Sequence, residues 1–243
     1  MTTDNRRERA DSFKTIGDQY HRLRPPFPDE VVDWMLPDGA VDVLDLGAGT
    51  GRLTDSLVAR GLAVTAVDPS TSMLGVLRER LPEVRAVEAT AESTGLPSGS
   101  FDAILVAQAW HWMDPAAASA EAARLLRPGG TLALVWNMHV PSAGWQEEFE
   151  AIQDALRGTA LLGEGRPDVR EPLGACQELI FRWSREVPAE DYLRIRTTHS
   201  PFMVADDATK ADRLARWRAL LDANAGDTVT EGYTTQAWRF TLG

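Results

Sequence analysis

Residues 43–51 read Val-Leu-Asp-Leu-Gly-Ala-Gly-Thr-Gly. An apolar run meets an acidic residue, Asp45, and then glycines at alternate positions, Gly47, Gly49 and Gly51. Glycine lets the backbone turn with positive φ and lets a ligand lie against bare main chain. A strand that ends this way before a helix predicts a cofactor cradle. The spacing is Gly-x-Gly-x-Gly. It is not the Gly-x-Gly-x-x-Gly of the dinucleotide fingerprint.

The flanking pattern supplies the architecture. Apolar runs predict strands over Val41–Leu46, Leu62–Val67, Val84–Val87, Phe101–Ala107 and Thr131–Trp136. Helical periodicity intervenes at Arg52–Arg60 and over Met73–Leu81, where Ser70 or Thr71 can cap and Pro82 stops the run. Asp114-Pro115 opens a further helix, and Arg127-Pro128-Gly129-Gly130 is expected to close it. Strands alternating with helices imply a mostly parallel sheet covered on both faces. Beyond 137, helices are expected at Trp145–Leu156 and Asp206–Leu221. A loop is expected at 157–176, and strands at Glu178–Val187 and Tyr233–Leu242. The resulting expectation is an α/β, Rossmann-like, seven-stranded sheet with an antiparallel last strand and helical lid insertions. One domain is expected over 1–243: an N-terminal helical cover at 1–40, a cofactor-binding core at 41–136, and substrate-cover helices with the last two strands at 137–243.

Charge and composition narrow the partners. The net charge is −11, which disfavours a nucleic-acid substrate, because phosphate binding wants clustered Lys and Arg. Cys176 is the single cysteine, which excludes an intramolecular disulfide. The four histidines, His21, His111, His139 and His199, show no metal-ligand spacing, so no metal is expected. The N-terminal residues lack an apolar signal core and no apolar run reaches spanning length. The chain is therefore predicted to be cytoplasmic with no membrane partner.

Candidate site residues gather at the strand ends. Asp68, seventeen positions after Gly51, ends the second strand and can accept hydrogen bonds from a ribose diol. The same residue also fits a helix cap before Ser70. An acidic residue beside the glycines suits a cationic ligand and sits awkwardly beside a pyrophosphate. Five segments now stand in order: the glycine motif, Val-Thr-Ala-Val-Asp-Pro-Ser, Ala-Glu with Leu-Pro, Ser-Phe-Asp-Ala-Ile, and Leu-Arg-Pro-Gly-Gly. In that order they resemble the class I S-adenosylmethionine (SAM) methyltransferase family. The Tyr20…Arg22-Leu23-Arg24-Pro25-Pro26-Phe27-Pro28 segment resembles the N-terminal segment of small-molecule methyltransferases, with Phe27 where a Tyr is usual, and Gln108-Ala109-Trp110-His111-Trp112 resembles a motif of the trans-aconitate methyltransferase branch.

The resemblance implies SAM as cofactor and S-adenosylhomocysteine as product. It places Asp45, Gly47 and Gly49 at the methionine part, Asp68 at the ribose with Pro69 and Met73 nearby, Ala91 and Glu92 at the adenine, and Gln108 beside the sulfonium. Tyr20 and Arg24 would cover the cofactor. Trp110, His111 and Trp136 would face a small-molecule acceptor, with His111 as base or orienter. Plainer readings stand beside these. Glu92 suits a solvated loop, Tyr20 and Arg24 an N-terminal anchor, His111 a structural histidine, and the tryptophans a core. Arg24, Arg182, Arg194 and Arg196 are candidates to pair with an acceptor carboxylate. A carboxylate or hydroxyl acceptor is favoured. The alternatives are a SAM-binding protein without catalysis and an NAD(P)-dependent oxidoreductase.

Overall fold

The computed structural model describes residues 23–154, 166–198 and 200–243. Tyr20, His21 and His199 lie outside them. The described chain divides into two compact units. The first comprises 23–137, 166–181 and 235–243; the second comprises 138–154, 182–198 and 200–234.

The first unit carries the sheet. Its elements are α1 (Asp29–Met35), β1 (Asp42–Leu46), α2 (Arg52–Val58), β2 (Ala63–Asp68), α3 (Thr71–Arg80), β3 (Arg85–Glu88), β4 (Phe101–Ala107) and α4 (Pro115–Leu125). A single 3-10 turn, Trp110–Trp112, precedes α4. The long strands β5 (Leu126–Val140), β6 (Leu173–Pro188) and β7 (Thr228–Leu242) run through both units. The strand order is β3-β2-β1-β4-β5-β7-β6, with β3 through β5 parallel and the last strands antiparallel. The expected seven-stranded α/β sheet is therefore present.

Alternation along the central strands explains why both faces are covered. Leu44 and Leu46, Ile104 and Val106, and Leu132, Leu134 and Trp136 enter one core, with Ala118, Ala122 and Leu125 of α4. Val43, Ala103 and Leu105, and Ala133 and Val135 enter the other, with Val31, Leu53, Leu57, Leu74 and Leu77 from α1, α2 and α3. A strand whose odd and even positions are both apolar can only sit between two helical layers. Helix starts follow their caps: Asp114 Oδ1 accepts the Ala117 N–H at 2.8 Å with Pro115 at the first helical position.

Several sequence boundaries shift. Arg127-Pro128-Gly129-Gly130 does not merely close α4. It lies inside β5, where Gly129 takes φ +77° and the β4–β5 register slips between Phe101 and Ala103. Proline and a left-handed glycine are tolerated there because the bulge removes the need for their ladder bonds. Leu173 already begins β6, so the expected loop at 157–176 is shorter at its end; 155–165 lie outside the described residues.

The second unit holds α5 (Gly144–Asp154), α6 (Ala189–Thr197), α7 (Ser200–Met203) and α8 (Asp207–Asn224). Sequence periodicity missed α6 and α7. Phe149, Tyr192, Leu193, Trp217, Leu221 and Val229 form this unit's core, and the Trp217 indole donates to the Phe149 carbonyl at 2.8 Å.

Candidate functional site

In the order β3-β2-β1-β4-β5 the connections leave β1 in one direction and β4 in the other. The crevice beyond their carboxyl ends is where an open α/β sheet binds ligands. The glycine turn lies at that point. Its main chain is tied to β2: the Gly47 and Ala48 N–H groups both donate to the Val67 carbonyl, at 2.8 and 3.0 Å. Gly47, Gly49 and Gly51 all take positive φ, at +78°, +55° and +88°. A Cβ on Gly47 would stand 2.7 Å from the Ala109 Cβ, so the segment after β4 presses directly on the turn. At Gly49, among the described residues, an added Cβ would meet only the Met73 Sδ within 4 Å, at 3.6 Å.

Asp68 joins this turn to α3. Its Oδ2 accepts the Gly49 N–H at 2.9 Å and its Oδ1 accepts the Ser70 N–H at 2.8 Å. The capping of α3 itself comes from the Ser70 hydroxyl, which accepts the Met73 N–H at 3.4 Å. Each carboxylate oxygen of Asp68 keeps further lone-pair capacity.

Asp45 is fully buried. Its Oδ2 accepts the Thr54 hydroxyl at 2.6 Å, while Oδ1 has no hydrogen-bond partner among the described residues. Burial pushes its carboxyl up to about 7. The Thr54 hydrogen bond opposes the shift, and the Asp68 and Asp55 charges add to it. A buried carboxylate oxygen without a donor is costly, and a cationic or N–H-bearing ligand would satisfy it. The residues present therefore fit an ammonium-bearing, phosphate-free cofactor better than a pyrophosphate.

Gln108 follows β4 with φ +58°, the only non-glycine residue with positive φ among those described. Such backbone costs of order 1–3 kcal/mol and persists where surroundings hold it. Here the holders are on β5: the Gln108 N–H donates to the Val135 carbonyl, and its side-chain Nε2 to the Asn137 carbonyl, both at 2.9 Å. The sequence carried no signal for this strain.

The remaining expected residues separate. Ala91 is buried, and Pro69 and Met73 are exposed. Glu92 is half-buried, and its Oε1 accepts the Asp114 N–H at the start of α4 at 2.9 Å. Burial raises its carboxyl, but that backbone hydrogen bond and others hold it below the ordinary value. Arg24 is half-buried just before α1. Trp110 departs from the expected acceptor-facing position. It is buried in the core and its indole N–H is taken by the Asp168 carbonyl at 3.0 Å, because a 3-10 turn folds it inward. Trp112, 74 % exposed, is the outward tryptophan of that segment, with the exposed His111 ring 4.7 Å away. Partial burial lowers the His111 pKa. Trp136 is also buried, edge-on to Trp238 at 5.5 Å, but its indole N–H has no partner among the described residues.

Within the second unit, Arg196 is buried and committed. Its Nε donates to Glu150 at 2.9 Å, and Glu231 lies 3.7 Å from its Nη1. It is thus engaged in an internal charge network and does not stand ready for an acceptor carboxylate. Arg194 pairs with Asp191 at 3.6 Å. Among the described residues, no cluster of metal-ligand type occurs and no helix is long and apolar enough to cross a membrane.

A doubly covered parallel sheet, a glycine turn at its switch point and an acidic residue ending β2 define the class I methyltransferase architecture. Comparison with known proteins agrees. Residues 44–134 match a family model described as a methyltransferase domain. An uncharacterized methyltransferase of Mycobacterium tuberculosis is 40 % identical over 248 residues, covering 99 % of each chain. An uncharacterized methyltransferase-like protein of Schizosaccharomyces pombe is 32 % identical over 196 residues, covering 79 % of this chain and 71 % of its own. A solved structure from Anaeromyxobacter dehalogenans, described as a candidate type II methyltransferase, superposes with a TM-score of 0.67 at 27 % identity, covering 90 % of this chain and 98 % of its own. The chain belongs to the methyltransferase family and is a SAM-dependent methyltransferase by fold.

Proposed function

We propose that this chain moves a methyl group from SAM to a small-molecule acceptor, with a carboxylate or hydroxyl favoured. The observation that carries the cofactor assignment is the buried Oδ1 of Asp45 beside the glycine turn, which has no hydrogen-bond partner among the described residues. Asp45 holds the cofactor ammonium, Gly47 and Gly49 admit its methionine part, and Asp68 takes the ribose hydroxyls. Ala91 and Glu92 border the adenine, and Gln108 lies toward the sulfonium. When bound, SAM supplies a methyl group on a sulfonium that is already an activated leaving group. The protein's share is then orientation and exclusion of water, and orientation alone is worth up to about 7–11 kcal/mol in favourable cases.

A carboxylate acceptor is ionised at neutral pH and needs no base. For a hydroxyl acceptor, His111 can take the proton, its pKa being lowered by partial desolvation of the ring. The exposed Trp112 ring beside it favours a partly apolar acceptor. The net charge of −11 disfavours nucleic acid. Calorimetric titration with S-adenosylhomocysteine tests the cofactor half, with NAD as control. Saturable binding that Asp68→Ala weakens at least about tenfold is expected, a loss of about 1.4 kcal/mol. Binding of NAD in place of S-adenosylhomocysteine would overturn the assignment. Tight cofactor binding without transfer to any member of broad carboxylic-acid and hydroxyl acceptor pools would favour a non-catalytic SAM-binding protein.

A further inference from the structure

Asn137 ends the parallel part of β5 and touches three separate segments of the first unit. Its Nδ2 donates to the Pro26 carbonyl at 2.9 Å. Its Oδ1 accepts the Thr235 hydroxyl of β7 at 2.6 Å. Its main-chain carbonyl accepts the Gln108 side chain at 2.9 Å. The chemistry fixes the orientation of the amide. A proline carbonyl only accepts, so the NH2 group must face Pro26, which leaves Oδ1 for the hydroxyl.

The segment held this way has few bonds of its own to offer. Residues 25–28 read Pro-Pro-Phe-Pro, so only Phe27 carries a backbone N–H. The buried Phe27 ring anchors it in the core, and its polar anchors must come mainly from its carbonyls. The Pro25 carbonyl accepts from the Nε of Arg52, the first residue of α2 after the glycine turn, at 3.4 Å. The Pro26 carbonyl accepts from Asn137. The strap is therefore pinned on one side to the helix that follows the glycine turn, and on the other to the strand end that holds the strained Gln108.

We propose that Asn137 is a positioning residue for the cofactor site. It fixes the Pro25-Pro26 strap and Gln108 in one arrangement, and thereby sets cofactor affinity without touching the cofactor. The Thr235 hydroxyl completes the hold by donating to Oδ1. The proposal rests on the SAM reading above.

The test is calorimetric titration of the full chain with S-adenosylhomocysteine, together with thermal unfolding, for wild type, Asn137→Asp, Thr235→Val and Thr235→Ser. Asn137→Asp keeps the size but turns an acceptor toward the Pro26 carbonyl, and about tenfold weaker binding is expected. Thr235→Val takes the hydroxyl donor from Oδ1 and so loosens the amide, and about threefold weaker binding is expected. Thr235→Ser keeps the hydroxyl and should restore affinity to within about twofold. A positioning role further predicts that the affinity lost in Thr235→Val exceeds what its change in Tm accounts for. Unchanged affinity in Asn137→Asp and Thr235→Val would overturn the proposal. So would losses that track Tm in every variant, Thr235→Ser included. Should Asn137→Asp fail to fold, the Thr235 pair decides. A wild type that itself fails to bind S-adenosylhomocysteine would sink the SAM reading instead, before any variant is compared.

Discussion

The Thr54 hydroxyl donates to Asp45 Oδ2 at 2.6 Å and leaves the other carboxylate oxygen buried without a donor among the described residues. One helix residue thus satisfies half of a carboxylate and reserves the other half. Burial pushes the Asp45 carboxyl up to about 7, so in the free protein a proton competes with a cationic ligand for it. A raised carboxyl pKa means the folded state holds this proton more tightly than the unfolded chain. Its cost to stability is absent below the ordinary range near 3.8 and grows as pH rises through about 7. Ligand affinity has the opposite slope. S-adenosylhomocysteine should bind about tenfold more weakly at pH 6 than at pH 8, with proton release visible as a buffer-dependent binding enthalpy. Asp45→Asn should flatten that pH dependence, weaken binding, and raise Tm at pH 8.

The glycine turn separates backbone strain from close packing. Gly47 and Gly61 have similar positive φ, +78° and +75°, but a Cβ at Gly61 meets nothing within 4 Å among the described residues, whereas one at Gly47 meets Ala109 at 2.7 Å. Gly61→Ala should cost about 1 kcal/mol, the left-handed penalty alone. Gly47→Ala should cost about 1–3 kcal/mol more and displace the segment after β4, with loss of S-adenosylhomocysteine binding. Urea unfolding of both variants measures the difference, and equal costs would show that the Ala109 contact relaxes freely.

Glu121 anchors the loop before β4. Its Oε1 accepts the Thr94 N–H and hydroxyl at 2.9 and 2.6 Å, and Arg124 pairs with it. The Arg124 hydrogen bond holds its carboxyl down to about 2, against the effect of burial and with help from Thr94. A depressed acid contributes stability above its ordinary value of 4.5 and loses it as pH falls toward 2. Glu121→Gln should therefore lower stability by about 2 kcal/mol at pH 7, and the gap to wild type should close as the pH approaches 2. A gap independent of pH would assign the loss to packing.

In the second unit, the buried Arg196 faces Glu150 and Glu231, and Glu231 also pairs with Arg185 at 2.7 Å. Removing one member strands the others in low dielectric. Arg196→Met should cost about 3–5 kcal/mol, read as a fall in Tm or an early, separate unfolding transition. If it costs less than about 1 kcal/mol, water reaches the two glutamates and the network is not dry.

What the sequence determined follows from local physics. Continuous apolar runs with helices between them set the doubly covered sheet, because a strand such as Ala103-Ile104-Leu105-Val106 has apolar side chains to bury on both faces. Alternate glycines after a strand set the turn, because only glycine takes those φ values cheaply, and Asp114-Pro115 set a helix start. What only the tertiary structure decided depends on neighbours distant in the chain. Trp110 and Trp112 are two positions apart and equally apolar, yet a 3-10 turn buries one under Asp168 and exposes the other. Arg196 reads as a free cation until Glu150 and Glu231, 46 and 35 residues away, arrive from α5 and β7. The strained Gln108 and the three-way anchor at Asn137 have no local signature at all. Their hydrogen bonds close only when β4, β5, β7 and the Pro25-Pro26 strap are brought together.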